Sequence, residues 1–260
     1  MSFQLQHLPF LALEEVIKCM DTFSILFLMK TSNKTKDYVI GITKRLKTNL
    51  DILLNEEEAY CTPCQDFDGE LRPSEVLKRS NKEYSIEKFI SVIESFYNVF
   101  CIKTISIHIE TESSADPYLL WKYVKNQNLK IQTLVWKTED LSPERTKEVI
   151  EASSDLEILK IHFKKQAPVL TAVDLYPLIG CGSLTLHNIN FTSQDLNLFL
   201  KHWFAKSKTL SAICIVAVEP FDRLTAIEGI DVVDGQAEPH PDYENFEIMF
   251  WKTKFLVEQV

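Results

Sequence analysis

The sequence predicts an α/β chain: a short three-helix segment, then a stack of βα repeats sharing a parallel sheet, then an antiparallel closure near the C-terminal end. Three observations predict it. Apolar residues in the first forty positions fall at helical spacing in three short runs. A strand pattern, apolar-x-x-apolar-x-apolar, then recurs five times with helical patterns in the gaps. After the fifth strand the pattern shifts to strand-like runs around an Asp-Gly turn. The chain has 260 residues, 45% hydrophobic and 25% charged, which is enough for one large or two modest domains without a metal or disulfide.

The first ordered pattern opens at Leu8-Pro9. Proline at a helix start costs nothing, because its missing N–H would be unpaired there. Leu13, Val16, Ile17 and Met20 follow at i, i+3, i+4 and i+7, one stripe of a helix. Asp21-Thr22 supplies a stop and a fresh N-cap. Ile25, Leu26 and Leu28 form a second cluster, and Tyr38 and Val39 close a third helix after the polar run Lys30 to Lys36. Helices this short make no independent core. Their apolar faces must be covered by the rest of the chain or by a partner, and periodicity alone leaves both open.

These residues resemble the F-box. The likeness rests on Leu8-Pro9, the helix-spaced Leu13, Val16, Ile17 and Met20, the acidic break at Asp21, the run Ile25, Leu26 and Leu28, and a third helix with Ser32 and Lys34. The chain departs from that pattern at Ser24, Thr31 and Thr35, where an acidic residue, a valine and an aromatic are common. The resemblance implies that residues 1–43 dock on the Skp-type linker of a cullin–RING ubiquitin ligase, with the cullin scaffold behind it. It also implies a contact surface of Leu8, Pro9, Leu13, Val16, Ile17, Met20, Ile25 and Leu26. Within that surface Leu8, Pro9, Ile17, Ile25 and Leu26 would be the chief anchors of a helix-face contact.

Leu50 to Leu54 reads as a strand, and Glu56 to Pro73 as an acidic, poorly patterned stretch. The repeat begins at Ile102/Ile105/Ile107 and returns at Ile131/Leu134/Trp136, Leu156/Leu159/Ile161, Cys181/Leu184/Leu186 and Leu210/Ile213/Ile215. The middle positions are 25 or 29 residues apart, the period of leucine-rich repeats. Helical stripes fill the gaps. Ile86, Phe89, Ile90 and Ile93 follow Ser85. Leu120, Tyr123 and Val124 follow Asp116-Pro117. Val149 and Ile150 follow Ser142-Pro143, and Leu196, Phe199, Leu200, Trp203 and Phe204 follow Thr192. The helix around Leu175 is cut short by Pro177. A βα unit of this size cannot bury its own apolar face, so the units must stack. Ile227 to Val233, Asp234-Gly235 and Phe246 to Trp251 read as antiparallel strands capping the stack. One feature departs from leucine-rich repeats. The Asn or Cys three residues after the last apolar position is replaced by Glu110, Glu139, Lys164, Ile189 and Val218.

An F-box ahead of such an array resembles the nematode F-box proteins with a C-terminal F-box-associated domain. That resemblance implies that residues 44–260 form a leucine-rich-repeat-like domain selecting a protein for ubiquitylation. The chain would be an adaptor rather than an enzyme, with no cofactor. The other reading is a ligase-independent interaction scaffold in which the helices are a structural cap.

Alternation along the strands places a surface. With the apolar positions facing the helices, one outward row comprises Ser106, Val135, Lys160, Thr185 and Cys214, and the next comprises His108, Lys137, His162, His187 and Val216. These ten are the expected substrate contacts. His162 and His187 fall side by side, but a lysine in the row repels a metal and the row holds no carboxylate, so no metal site is expected. Cys61-x-x-Cys64 has no second pair to complete a zinc site and reads as two ordinary thiols. No nucleophile elbow or phosphate-cradling Gly loop occurs, and glycine is scarce, at six residues; Gly180-Cys181-Gly182 reads as a turn into a strand. A net charge of −9 argues against nucleic acid, and Lys44-Arg45-Leu46-Lys47 reads as a solvated face. No signal peptide or membrane span is expected. The six cysteines then read as reduced thiols of a cytoplasmic or nuclear protein, with the sequons at Asn33 and Asn190 unused.

Overall fold

The structure is a computed structural model describing residues 8–45, 47–55, 59–67, 70–71, 85–111, 117–127, 129–138, 141–164, 169–206, 209–219, 221–230 and 247–251. The fold is mixed α/β and divides into two compact units, Met1–His108 with Ser113–Ile131, and Ile109–Glu112 with Gln132–Val260. The boundary expected after residue 43 falls inside the first unit.

In the first unit, three helices lead: α1 (Phe10–Lys18), α2 (Thr22–Met29) and α3 (Asn33–Thr43). Pro9 caps α1, Asp21 caps α2 by accepting the Ser24 N–H at 2.9 Å, and Ser32 caps α3 by accepting that of Thr35 at 3.1 Å. Both α1 and α2 pack on α3, burying Leu13, Ile17, Ile25, Val39 and Ile42. Then come β1 (Lys47–Asn55), β2 (Ala59–Phe67), β3 (Glu70–Leu71), α4 (Ile86–Val99), β4 (Cys101–Thr111) and α5 (Pro117–Asn126). The strands of this unit follow the order β3-β2-β1-β4, with β1, β2 and β3 antiparallel. Helix α3 packs on α4, and the Thr43 hydroxyl donates to the Val99 carbonyl at 2.5 Å.

Strand β2 is a correction, because it occupies half of what reads in the sequence as an unpatterned stretch. Its register sets Ala59, Cys61 and Pro63 opposite Leu54, Ile52 and Leu50 of β1. These inward residues are small, and the buried Thr62 breaks the apolar alternation, so the strand carries little hydrophobic signal.

The second unit holds β5 (Lys130–Thr138), α6 (Pro143–Glu151), β6 (Ile158–Phe163), α7 (Ala172–Leu175), β7 (Ser183–Ile189), α8 (Ser193–Lys206), β8 (Ala212–Ala217), α9 (Arg223–Ile227) and β9 (Glu247–Trp251). Strands β5 to β8 are parallel in sequence order, and β9 joins β8 antiparallel. Capping places the helices as expected. The Ser142 hydroxyl accepts the Arg145 N–H at 3.4 Å, and Thr192 and Asp195 cap each other's backbones at 3.1 and 3.3 Å. Helix α7 runs into a 3-10 turn at Tyr176–Gly180, where Pro177 ends the α-helical bonding. The inward faces bury Leu134, Trp136, Leu159, Ile161, Leu184, Leu186, Ile213 and Ile215 against helical residues such as Phe199, Leu200 and Trp203. Trp203 also donates its ring N–H to the Leu210 carbonyl at 2.9 Å.

The C-terminal closure is half corrected. The antiparallel strand expected to end at Trp251 is β9. The apolar run starting at Ile227 is not a strand at its described end. Asp222 accepts the Thr225 N–H at 3.1 Å and starts α9, which ends at Ile227, with a turn at Gly229 in the left-handed region. Local capping overrides the β-like composition there. Asp116, Glu139 and the Asp234-Gly235 turn lie outside the described residues.

Candidate functional site

Two surfaces emerge, one in each unit. On the helical segment, the expected ligase contacts separate into two groups. Leu13, Ile17 and Ile25 are buried within the chain's own helices, at 6%, 0% and 1% exposure. Holding three short helices together uses these side chains up. Pro9 and Val16 are exposed, and Leu8, Met20 and Leu26 are partly so. The most exposed apolar side chains of α1 and α2 lie outside the expected set: Leu11 at 75% and Phe27 at 72%, with Phe10 also exposed. Arg45 lies over the Phe10 ring at 5.3 Å. Leu11 stands off the apolar stripe of α1. An apolar residue on the polar side of an otherwise regular helix is the signal that could have found it.

In the second unit, the parallel register pairs Val135 with Lys160, Lys160 with Thr185 and Thr185 with Cys214. Two residues on, it pairs Lys137 with His162, His162 with His187 and His187 with Val216. Both expected rows therefore run in register within this unit; Lys160 is exposed, Lys137, His162, Thr185, His187 and Cys214 are half-buried, and Val135 and Val216 are buried. Ser106 and His108, the expected starts of the rows, lie partly exposed on β4 in the first unit. The rings of His162 and His187 are 5.3 Å apart. A cleft of about 280 Å³ is lined by Val135, Lys137, Lys160, His162, Thr185 and His187. Lys137 pairs with Glu110 at 2.8 Å, both about 40% exposed. No group of three or more metal-ligating side chains occurs among the described residues.

Partial burial is the first cause holding His162 below the ordinary histidine range, and the charges of Lys137 and Lys164 add to it. The sign follows. Between the depressed folded value and the ordinary one, the unfolded chain binds more protons, so acidification favours unfolding. His162→Gln is therefore expected to lose less of its thermal stability than the parent chain between pH 7.5 and 5.5. Equal losses, measured by thermal denaturation, would refute that assignment.

Asn188 escapes the sequence pattern. It sits one residue before the position where a leucine-rich repeat carries asparagine. Its φ of 59° is the left-handed region that asparagine tolerates, and the pairing of β7 with β8 shifts register there. Its side-chain amide donates to the Phe163 carbonyl of the preceding strand at 2.6 Å.

The described thiols divide by exposure. Cys61 and Cys181 are buried, and Cys19 and Cys101 exposed. Burial pushes the Cys181 thiol up to about 12, and its Sγ donates to the Ser153 carbonyl. In the native protein, maleimide should label Cys19 and Cys101 within minutes and spare Cys61 and Cys181 until denaturant is added. Peptide mapping that finds Cys181 modified in the native state would contradict this.

The chain matches the F-box domain family over residues 5–42 and the F-box associated family over residues 153–210. The F-box match takes in α1, α2 and nearly all of α3, and the F-box-associated match takes in β6, α7, β7 and α8. A Caenorhabditis elegans protein named Skn-1 dependent zygotic transcript 15 protein is 19% identical over 88% of this chain and 83% of its own length. No solved structure matches the chain. An F-box domain carries the general role of a substrate adaptor in a Skp–cullin–F-box ubiquitin ligase, and F-box and F-box-associated regions are typically non-catalytic. Among the described residues, no helix is long and apolar enough to cross a membrane.

Proposed function

We propose that this chain is a substrate-recognition adaptor that docks a Skp-type linker through its N-terminal helices and holds a target protein on the outward sheet face of its F-box-associated region. The observation that carries this reading is the F-box match over residues 5–42, on helices that keep a closed core of their own. That core leaves Leu11, Phe27 and Val16 as exposed apolar side chains. A few such anchors dominate helix-face contacts. The docking surface is then Leu8, Pro9, Val16, Met20 and Leu26 together with Leu11 and Phe27. The repeat is read as leucine-rich-repeat-like on the strength of its 25- or 29-residue period and of Asn188, which bridges to the strand before it. An adaptor of this kind would work in the cytoplasm or nucleus with its thiols reduced.

The test is capture of the full-length protein by a recombinant Skp-type linker. Wild type should bind, and the pair Leu11→Asp with Phe27→Asp should bind at least a hundredfold more weakly while keeping the parent melting temperature. Failure of the wild type to bind, or full binding by that pair, sinks the reading. A ligase-independent scaffold is favoured by one observation: the bond from Thr43 to Val99 ties α3 to α4, as a structural cap requires. That reading predicts no linker binding by the intact chain.

A further inference from the structure

We infer that the cleft on the outward sheet face of the second unit takes an extended acidic segment of a partner protein, with aspartate or glutamate at every second position. This inference rests on the reading that this face holds the target, and names the class of segment it accepts.

Charge points that way. The chain as a whole is acidic, with 37 Asp and Glu against 28 Lys and Arg. The cleft reverses that balance. Its lining has Lys137, Lys160, His162 and His187, and no carboxylate among the described residues. The only described carboxylate paired with it is Glu110 on Lys137, in an exposed pair that water screens. Lys160 forms no ion pair among the described residues. Lys137 and His162 are direct register partners, and so are His162 and His187. Lys137 and Lys160 are diagonal neighbours on adjacent strands, where like charges destabilise the sheet. An anion seated between them removes that cost.

Shape sets the form of the anion. The two rows are two residues apart on each strand, about 6.6 Å. Side chains on one face of an extended peptide repeat at the same distance. Carboxylates at alternate positions therefore reach the Lys160 row and the Lys137–His162–His187 row together, with Val135 and Thr185 beneath. Carboxylates suit the site better than phosphoryl groups. No described arginine lines the cleft to offer a bidentate fork, and one of the two lysines already shares its charge with Glu110. Burial first, and then the charges of Lys137 and Lys164, lower the proton affinity of His162 in the free protein, and a bound carboxylate would offset the second of these. The charged and titratable groups around it are Lys137 from β5, His187 from β7, and Lys160 and Lys164 from its own segment, with Glu110 of β4 held on Lys137.

The experiment uses the full-length protein and a fluorescein-labelled peptide of four Glu-Ser repeats, followed by fluorescence anisotropy at low salt. Saturable binding is expected, weakened at least tenfold by Lys160→Glu, unchanged by Lys201→Glu on the exposed side of α8, and tightened as pH falls from 7.5 to 6. Labelled-histidine NMR should show the His162 titration moving to higher pH when peptide saturates the site. No saturable binding overturns the inference. So does equal binding by Lys160→Glu, or equal binding of a Lys-Ser peptide. Tenfold tighter binding when one glutamate is replaced by phosphoserine overturns the carboxylate assignment. The same preparation is tested for linker capture: peptide binding lost with capture retained defeats only this inference, and capture lost with peptide binding retained defeats only the docking proposal.

Discussion

Replacing Ile17 with aspartate is expected to unfold the N-terminal helices, in contrast to the double substitution at Leu11 and Phe27, which leaves them folded. Ile17 is fully buried, with Leu13, Ile25, Val39 and Ile42 also buried where α1 and α2 pack on α3. An aspartate there has no cation to pair with inside that core, and a buried charge without a partner costs about 4 kcal/mol. Segments of nine, eight and eleven residues have no reserve against such a loss, since helices of this length are marginal in water by themselves. The expected result is a fall in helical circular dichroism at 25 °C together with loss of linker capture. The distinction matters for reading any binding experiment. Loss of capture in Ile17→Asp reports folding, whereas loss in Leu11→Asp with Phe27→Asp reports contact. A variant Ile17→Asp with parent helicity would show that this core is not as closed as its burial implies.

Gly180→Ala should be the most damaging single methyl in the second unit. A Cβ at Gly180 would lie 2.1 Å from the Ser154 backbone carbonyl oxygen, and one at Gly182 would lie 2.6 Å from that of Glu157. Neither obstacle is a flexible side chain that could swing away. Between the two glycines, the Cys181 Sγ meets the Ser153 carbonyl at 2.9 Å, and the Gly182 N–H donates to the Leu156 carbonyl at 3.0 Å. Relieving the clash means parting two adjacent repeats, at a cost on the order of 3 kcal/mol. Urea denaturation should show a lower midpoint for Gly180→Ala, with a smaller drop for Gly182→Ala. Gly41→Ala is the control, because nothing lies within 4 Å of the Cβ it would gain. A Gly180→Ala midpoint equal to that of the parent would refute the close approach.

Much of this is legible in the sequence because burial is written in its spacing. The triplets at Leu134, Leu159, Leu184 and Ile213 mark the parallel strands, and alternation from them yields the two outward rows in register. What spacing cannot say is who does the burying. The stripe Leu13, Val16, Ile17, Met20 fits a partner groove or an internal core equally well, and the internal core takes Leu13 and Ile17. Strand β2 is hidden because Ala59, Cys61 and Pro63 are poor in side-chain area. Helix α9 is hidden because it is five residues long and starts from a single capping aspartate. Asn188 is hidden because a register shift moves the bridging amide one residue from where the repeat would put it.

The loops leading into the strands also have a consequence for how the second unit comes apart. The Glu157 N–H donates to the Gln132 carbonyl at 2.9 Å, the Ser183 N–H to Glu157 at 2.8 Å, and the Ser211 N–H to Gly182 at 2.8 Å. Each loop is thus an acceptor for the one after it. Opening any one of them strips a partner from its successor, so local fraying has no natural stopping point between β5 and β8. The amides of Glu157, Ser183 and Ser211 should therefore exchange with deuterium at closely similar rates, as members of one opening event rather than three.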